Sequence, residues 1–155
     1  MKLSTRARYA LQAMQIVARE SKNGVPINLG DVAQLAALSR RYLEQVCISL
    51  KNAGLLKAVS GKKGGHLLAR PAEEINLYEI VEAAIGPINI VECVGNPGDC
   101  IQSPGCECRS VYVLINQRIR DALNSFTLAD LAENRVEQLV KDGRLKGSDG
   151  LVRPA

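Results

Sequence analysis

The chain has 155 residues, with 20 Lys and Arg against 16 Asp and Glu, a formal charge of +4, 46% hydrophobic residues, one His, five Cys and no Trp. That is one domain's worth of sequence with an ordinary share of charge, so a wholly disordered, collagen-like or coiled-coil-only protein is excluded and a hydrophobic core is within reach. The charge is uneven: residues 1–70 hold 12 Lys/Arg and 3 Asp/Glu (net +9), whereas residues 71–155 hold 8 and 13 (net −5). The first half is suited to meeting a polyanion and the second to another task.

In chain order, Ala7, Ala10, Leu11, Met14, Val17 and Ala18 recur at three- and four-residue steps. This predicts an amphipathic helix from Ser4 to about Ser21, with Ser4 or Thr5 as its N-cap. Arg8, Gln12, Gln15 and Arg19 interrupt the apolar pattern, and no later window reaches eighteen uninterrupted apolar residues. Neither a membrane span nor an export signal is expected, which predicts a cytoplasmic protein whose clustered thiols are metal ligands or redox sensors rather than disulfides.

After the turn NGVPIN, a short periodic run from Leu29 to Ala37 precedes Ser39. The Ser39 hydroxyl can cap a third helix, Arg40 to Ala53, with Leu38 and Leu43 at the staple positions and Gly54 closing the far end. LLKAV and HLLAR flank the turn SGKKGG, which reads as a β-hairpin projecting positive charge. Helix, helix-turn-helix and hairpin is the order of a winged helix.

In that arrangement the first residues of the second helix of the turn face base edges. Here they are Arg40, Arg41, Glu44 and Gln45, with Ser39 and Tyr42 beside them as further DNA-binding residues; Arg suits guanine, Gln adenine, and Glu the amino group of cytosine. Lys62, Lys63 and Gly64 in the hairpin loop are expected to approach the phosphate backbone or minor groove. The lone His66 falls in the hairpin, far from the cysteines, and is assigned to packing; Cys47 shares the inward side of its helix with Leu43, Val46 and Leu50 and is assigned to the core.

Beyond Pro71, Asn76 and Glu79 form a capping box opening a helix that ends at Gly86. Residues 93–108, CVGNPGDCIQSPGCEC, combine four Cys with three Gly and two Pro, a composition that predicts a loop. From Arg109 to Phe126 the residues Val111, Leu114, Ile115, Ile119, Ala122, Leu123 and Phe126 give a helix whose broad apolar face needs a partner. Thr127 then caps a last helix over LADLAENRVEQLV. The expected organisation is a DNA-binding domain at 1–70, a connecting helix and linker at 71–92, a cysteine segment at 93–108, a dimerisation helix with a short C-terminal helix at 109–140, and a disordered tail at 141–155.

Cys93, Cys100, Cys106 and Cys108 are spaced C-x6-C-x5-C-x-C. Soft thiolates on a Gly- and Pro-rich segment can wrap one inorganic centre. Paired C-x2-4-C knuckles are missing, which argues against structural zinc. An iron-sulfur cluster or a thiol-disulfide switch remains. No Walker spacing, pocket motif or partner for the single His supports an enzyme.

The opening MKLSTRARYA, the stretch SRRYLEQVCISLKNAGLL, the hairpin GKKGGHLLARP with EEINLYEIVEA after it, the cysteines at 93, 100 and 106, and TLADL at 127–131 together resemble the winged-helix repressor family that includes IscR, NsrR and CymR. The likeness covers about residues 1–131 and points to the cluster-sensing, IscR-like branch. It implies a mainly α fold with a small β-hairpin wing and a long C-terminal dimerisation helix. It further implies a homodimer on a partly palindromic double-stranded DNA operator, and an iron-sulfur cluster on Cys93, Cys100 and Cys106, with 2Fe-2S favoured and 4Fe-4S the alternative. Where IscR-like members place a histidine three residues after the third cysteine, this sequence has Arg109; near the first-helix position where others use an acidic residue it has Arg8 and Gln12. Cys108, Glu107 or a solution ligand is left as the fourth ligand. Control by thiol oxidation or a partner enzyme, as in CymR-like members that work without the triad, is the competing expectation.

Overall fold

Four small or slender side chains, Ala7, Ala10, Ala13 and Val17, line the buried face of the first helix with Met14, and their size lets other elements approach its backbone closely. This helix, α1 (Thr5–Glu20), starts at Ser4, whose Oγ accepts a hydrogen bond from the Ala7 amide at 3.2 Å. The computed structural model describes residues 3–101 and 105–143. Of the expected tail at 141–155, Lys141 instead ends the last helix and residues 144–155 lie outside the described residues, as do the first two residues of the opening motif.

Against α1 pack α2 (Leu29–Ala36), α3 (Arg40–Asn52), α4 (Leu77–Ile85) and α7 (Leu128–Ala132). Asn28 caps α2 and Ser39 caps α3, each through its side-chain oxygen. Between them Ala37 takes a left-handed conformation, φ 53°, and its amide and that of Leu38 return to α2 carbonyls. That single residue sets the tight turn joining the two helices.

The hairpin is β1 (Leu56–Val59) with β2 (Gly65–Leu68), antiparallel from Leu56↔Leu68 to Val59↔Gly65. Ile27 adds an isolated antiparallel bridge to His66, with N–O distances of 3.1 and 2.7 Å. A Cβ on Gly65 would overlap the Ile27 carbonyl, and one on Gly64 would overlap the Val59 carbonyl. Both glycines are therefore needed for the wing to close.

The Asn76–Glu79 capping box opens α4 as expected. Asn76 also bridges Thr127, with Leu77 N–H donating to the Phe126 carbonyl at 3.0 Å and Leu128 N–H to the Ile75 carbonyl at 2.7 Å. The end of α6 (Glu107–Asn124) is thereby stitched to the start of α4. Gln15 and Arg19 of α1 hold the Leu131 and Ala132 carbonyls at 2.9 and 2.7 Å. One core cluster accordingly runs from Ala10, Met14 and Leu43 through Ile80 to Phe126 and Leu128.

Three boundaries differ from the sequence expectation. Within 93–108, a short helix α5 (Glu92–Gly95) and a 3-10 turn at Pro97–Asp99 occupy what composition read as a loop; single turns need no long-range pattern to form. α6 begins at Glu107 rather than Arg109, so Cys108 is helical. The last helix divides into α7 and α8 (Val136–Lys141), because Asn134 adopts φ 56°, a conformation asparagine tolerates better than most residues.

Candidate nucleic-acid interface and cysteine segment

On α3 the inward residues are Leu43, Val46, Cys47 and Leu50, which leaves Arg40, Arg41, Glu44 and Gln45 exposed on the opposite side. The Ser39 Oγ accepts from the Tyr42 amide at 3.2 Å, fixing the first turn. Arg40 Nε lies 3.4 Å from Glu44 Oε1, an exposed i,i+4 pair weak enough to exchange for a stronger acceptor. The Tyr42 ring stands edge-on to Tyr9 of α1, with centroids 5.3 Å apart.

Two residues that the sequence reading passed over support this helix. Arg6 Nη2 donates to Ser49 Oγ at 2.7 Å and to the Gln45 carbonyl at 3.3 Å, while its Nε is buried without a partner among the described residues. Tyr9 supplies the seat for Tyr42. Their signal was available: Arg6 and Tyr9 are three residues apart in α1 and so share a side of it, just off the alanine face.

Lys62 and Lys63 are exposed at the tip of the wing, followed by half-buried Gly64. His66 is half-buried, and its Nδ1 finds no partner among the described residues. Burial, reinforced by the charge of Lys51, holds its imidazole below the usual histidine range, so it is neutral at physiological pH. Cys47 is buried, and burial pushes its thiol up to about 11, against the opposing charge of Lys51 and with some reinforcement from Glu44. Such a thiol is chemically inert near neutrality.

The four remaining cysteines are free; Cys93, Cys100 and Cys106 are half-buried and Cys108 is exposed. Cys106 is the N-cap residue of α6, makes no side-chain cap bond there, and Cys108 sits in the first turn. Arg109 Nε donates to the Cys93 carbonyl at 3.0 Å, which brings the α5 turn against the same end of α6. Among the described residues, no three His, Cys, Asp or Glu side chains converge as a metal site; residues 102–104, between Cys100 and Cys106, lie outside the description. The donor set itself, free thiols partly shielded from solvent, suits iron-sulfur ligation. Position 109 is engaged with backbone rather than offering a ligand.

An apolar stripe is exposed on the outward side of α6: Val111 is 54% exposed, Leu114 56% and Ile115 36%. Its other side, Asn116, Ile119 and Leu123, faces the protein. No helix among the described residues is long and apolar enough to cross a membrane.

A helix-turn-helix with an exposed polar and basic face, followed by a lysine-tipped hairpin, defines a winged-helix DNA-binding protein. Residues 3–134 match the family pattern of Rrf2, "Iron-dependent Transcriptional regulator", and the chain belongs to the Rrf2 family of transcriptional regulators rather than to a family of enzymes. It is 34% identical to the HTH-type transcriptional regulator IscR of Serratia proteamaculans (strain 568) over 142 residues, covering 92% of this chain and 85% of that protein. The fold is similar to that of CymR (YrzC), the global cysteine regulator of B. subtilis, with a TM-score of 0.71 and 34% identity, covering 86% of this chain and 98% of the other. It is also similar to T. potens IscR, with a TM-score of 0.69 and 29% identity over 97% of this chain and 94% of that one.

Proposed function

We propose that this chain is an iron-sulfur-dependent transcriptional regulator, dimeric through α6, whose operator binding responds to the state of a cluster held by Cys93, Cys100 and Cys106. The observation that carries this reading is the arrangement at the start of α6: Cys106 occupies the N-cap position, Cys108 lies in the first turn, and Cys93 is tied to Arg109. Likeness to IscR proteins over most of the chain adds to it. Cys108, adjacent and exposed, is the local choice for a fourth ligand, with Glu107 next. A bound cluster would supply an oxidisable, iron-dependent cross-link between the cysteine segment and the start of α6, and its type is proposed as 2Fe-2S.

The DNA face comprises Ser39, Arg40, Arg41, Tyr42, Glu44 and Gln45 on α3, with Lys62, Lys63 and Gly64 at the wing. In a dimer, two copies of α3 must meet successive major grooves of a partly palindromic operator about 34 Å apart. The α6 helix, which bears the ligand end and the exposed stripe, also contacts α4, so ordering the cysteine segment biases the spacing of the paired readers. A ligand acts on such an equilibrium only through its different affinity for the two arrangements.

The test is anisotropy titration of labelled DNA from the protein's own promoter region and of random duplex, using anaerobically loaded and iron-free protein. A change in affinity or in discrimination on iron removal is expected, lost in the Cys93→Ala, Cys100→Ala and Cys106→Ala variants. Identical binding by both forms contradicts cluster dependence. The exposure of Cys108 beside three half-buried thiols favours one second reading, control by thiol oxidation; peroxide-sensitive binding by an iron-free protein, reversed by dithiothreitol, would select it.

A further inference from the structure

The segment that leads from α4 to Cys93 has two side-chain attachments to α6. Asn116 is buried, 4% exposed, and its Oδ1 accepts a hydrogen bond from the Ile90 amide at 3.1 Å. Arg109 Nε donates to the Cys93 carbonyl at 3.0 Å. Both attachments reach backbone atoms, so they constrain the path of the chain irrespective of side chains at 90 and 93.

Their spacing is coherent. Residues 109 and 116 are seven apart, hence on one face of the helix and about 10.5 Å apart along its axis. Ile90 and Cys93 are three residues apart, a stretch that reaches at most about 10 Å. Ascending order on the segment, 90 then 93, meets descending order on the helix, 116 then 109. The segment is therefore laid antiparallel along α6 and delivered to the helix end where Cys106 and Cys108 reside.

Asn116 is the fully buried polar residue of α6, between half-buried Tyr112 and Ile119. A buried amide is costly unless bonded, and its oxygen is bonded to this segment. Apart from Ile88, 8% exposed, the residues from 87 to 95 are half-buried or exposed, too little apolar anchoring to fix their position by packing. Close approach is also marked at Gly95, where a Cβ would overlap the Asn89 side chain.

We propose that Asn116 and Arg109 are positioning residues forming a two-point clamp, which holds Cys93 at the N-terminal end of α6 before any ligand binds. The clamp lowers the ordering entropy that ligation must overcome. The role assigned to Cys93 as a ligand rests on the function proposed above; the clamp itself does not.

The test uses the full chain as wild type, Asn116→Ala, Arg109→Ala and Arg109→Lys, each read in two ways. In iron-free protein, amide hydrogen exchange of residues 90–95 is followed beside that of α1 and α3, which reports folding. Exchange at Ile90 should accelerate about tenfold in Asn116→Ala, as expected for loss of one buried hydrogen bond. Exchange across 93–95 should accelerate in Arg109→Ala and recover in Arg109→Lys. After anaerobic reconstitution with ferrous iron and sulfide, both alanine variants should lose iron to a chelator several-fold faster than wild type, with Arg109→Lys intermediate.

Unchanged exchange at 90–95 in both alanine variants overturns the clamp. Faster exchange with wild-type iron retention leaves the contacts as mere packing and overturns the positioning role. If Asn116→Ala disturbs α1 and α3, the Arg109 pair decides by the same criteria. Wild type that takes up no iron, yet shows the predicted exchange pattern, sinks the cluster reading while upholding the clamp.

Discussion

At the scale of single residues, the side chains of the proposed DNA interface divide into those free to read and those that hold the readers. Arg41 is exposed, and Arg40 pairs with an exposed Glu44, whereas Arg6 and Tyr9 brace the helix from α1. Replacing Arg40 and Arg41 by Ala should weaken specific binding by about 1–3 kcal/mol for each arginine that pairs with a base, seen as reduced discrimination between promoter and random DNA with an unchanged melting temperature. Ala37 carries a steric cost in its left-handed conformation. Ala37→Gly should raise stability in urea denaturation by about 0.5–1 kcal/mol, because the relieved strain exceeds the added chain entropy of glycine. The buried Cys47 has a pH signature. Its folded value of about 11 lies above the ordinary 9.0, so the stability it contributes is complete below pH 9 and is lost as pH rises through about 11. Denaturation midpoints should fall over that range in wild type and fall less in Cys47→Ala.

At the scale of elements, the caps were the most legible feature: Ser4, Ser39, Asn76 and Thr127 each accept from the backbone amide three residues on. The hairpin was legible from SGKKGG between apolar runs, since glycine is the only residue that clears the Ile27 and Val59 carbonyls. What sequence periodicity did not reveal has physical causes. One apolar face on α6 was read where there are two stripes, an inward one with Ile119 and Leu123 against α4 and an outward one with Val111, Leu114 and Ile115; adjacent stripes merge when only residue types are counted. Helical turns at 92–99 are too short for any period to register, and the attachments of Arg109 and Asn116 join residues 16 and 26 positions apart, beyond the reach of local patterning. The outward stripe carries its own prediction. Val111→Ser with Leu114→Ser should convert a dimer to a monomer in light scattering while leaving the fold intact by circular dichroism.

Across the whole molecule, α7 returns to pack on α1 and Leu123 near the end of α6 joins the same cluster, so the helix that begins at the cysteines and the helices proposed to carry the DNA face share one core. On the proposed function, a change at the start of α6 reaches the body that positions α3 through this shared core, without requiring a dedicated relay. The proposed regulator depends on this economy of parts: a basic reading face, an apolar stripe for a second copy, and thiols at the N-terminal end of the helix that carries the stripe. Cluster binding is decided by the anaerobic absorption spectrum of freshly purified protein with its iron and sulfide content, for wild type and for the variant with Cys93, Cys100 and Cys106 all changed to Ala. Bands between about 320 and 600 nm with matched iron and sulfide are expected in wild type, and neither in the variant. A colourless, iron-free wild type that still dimerises and binds its promoter DNA would overturn cluster-dependent regulation by this chain.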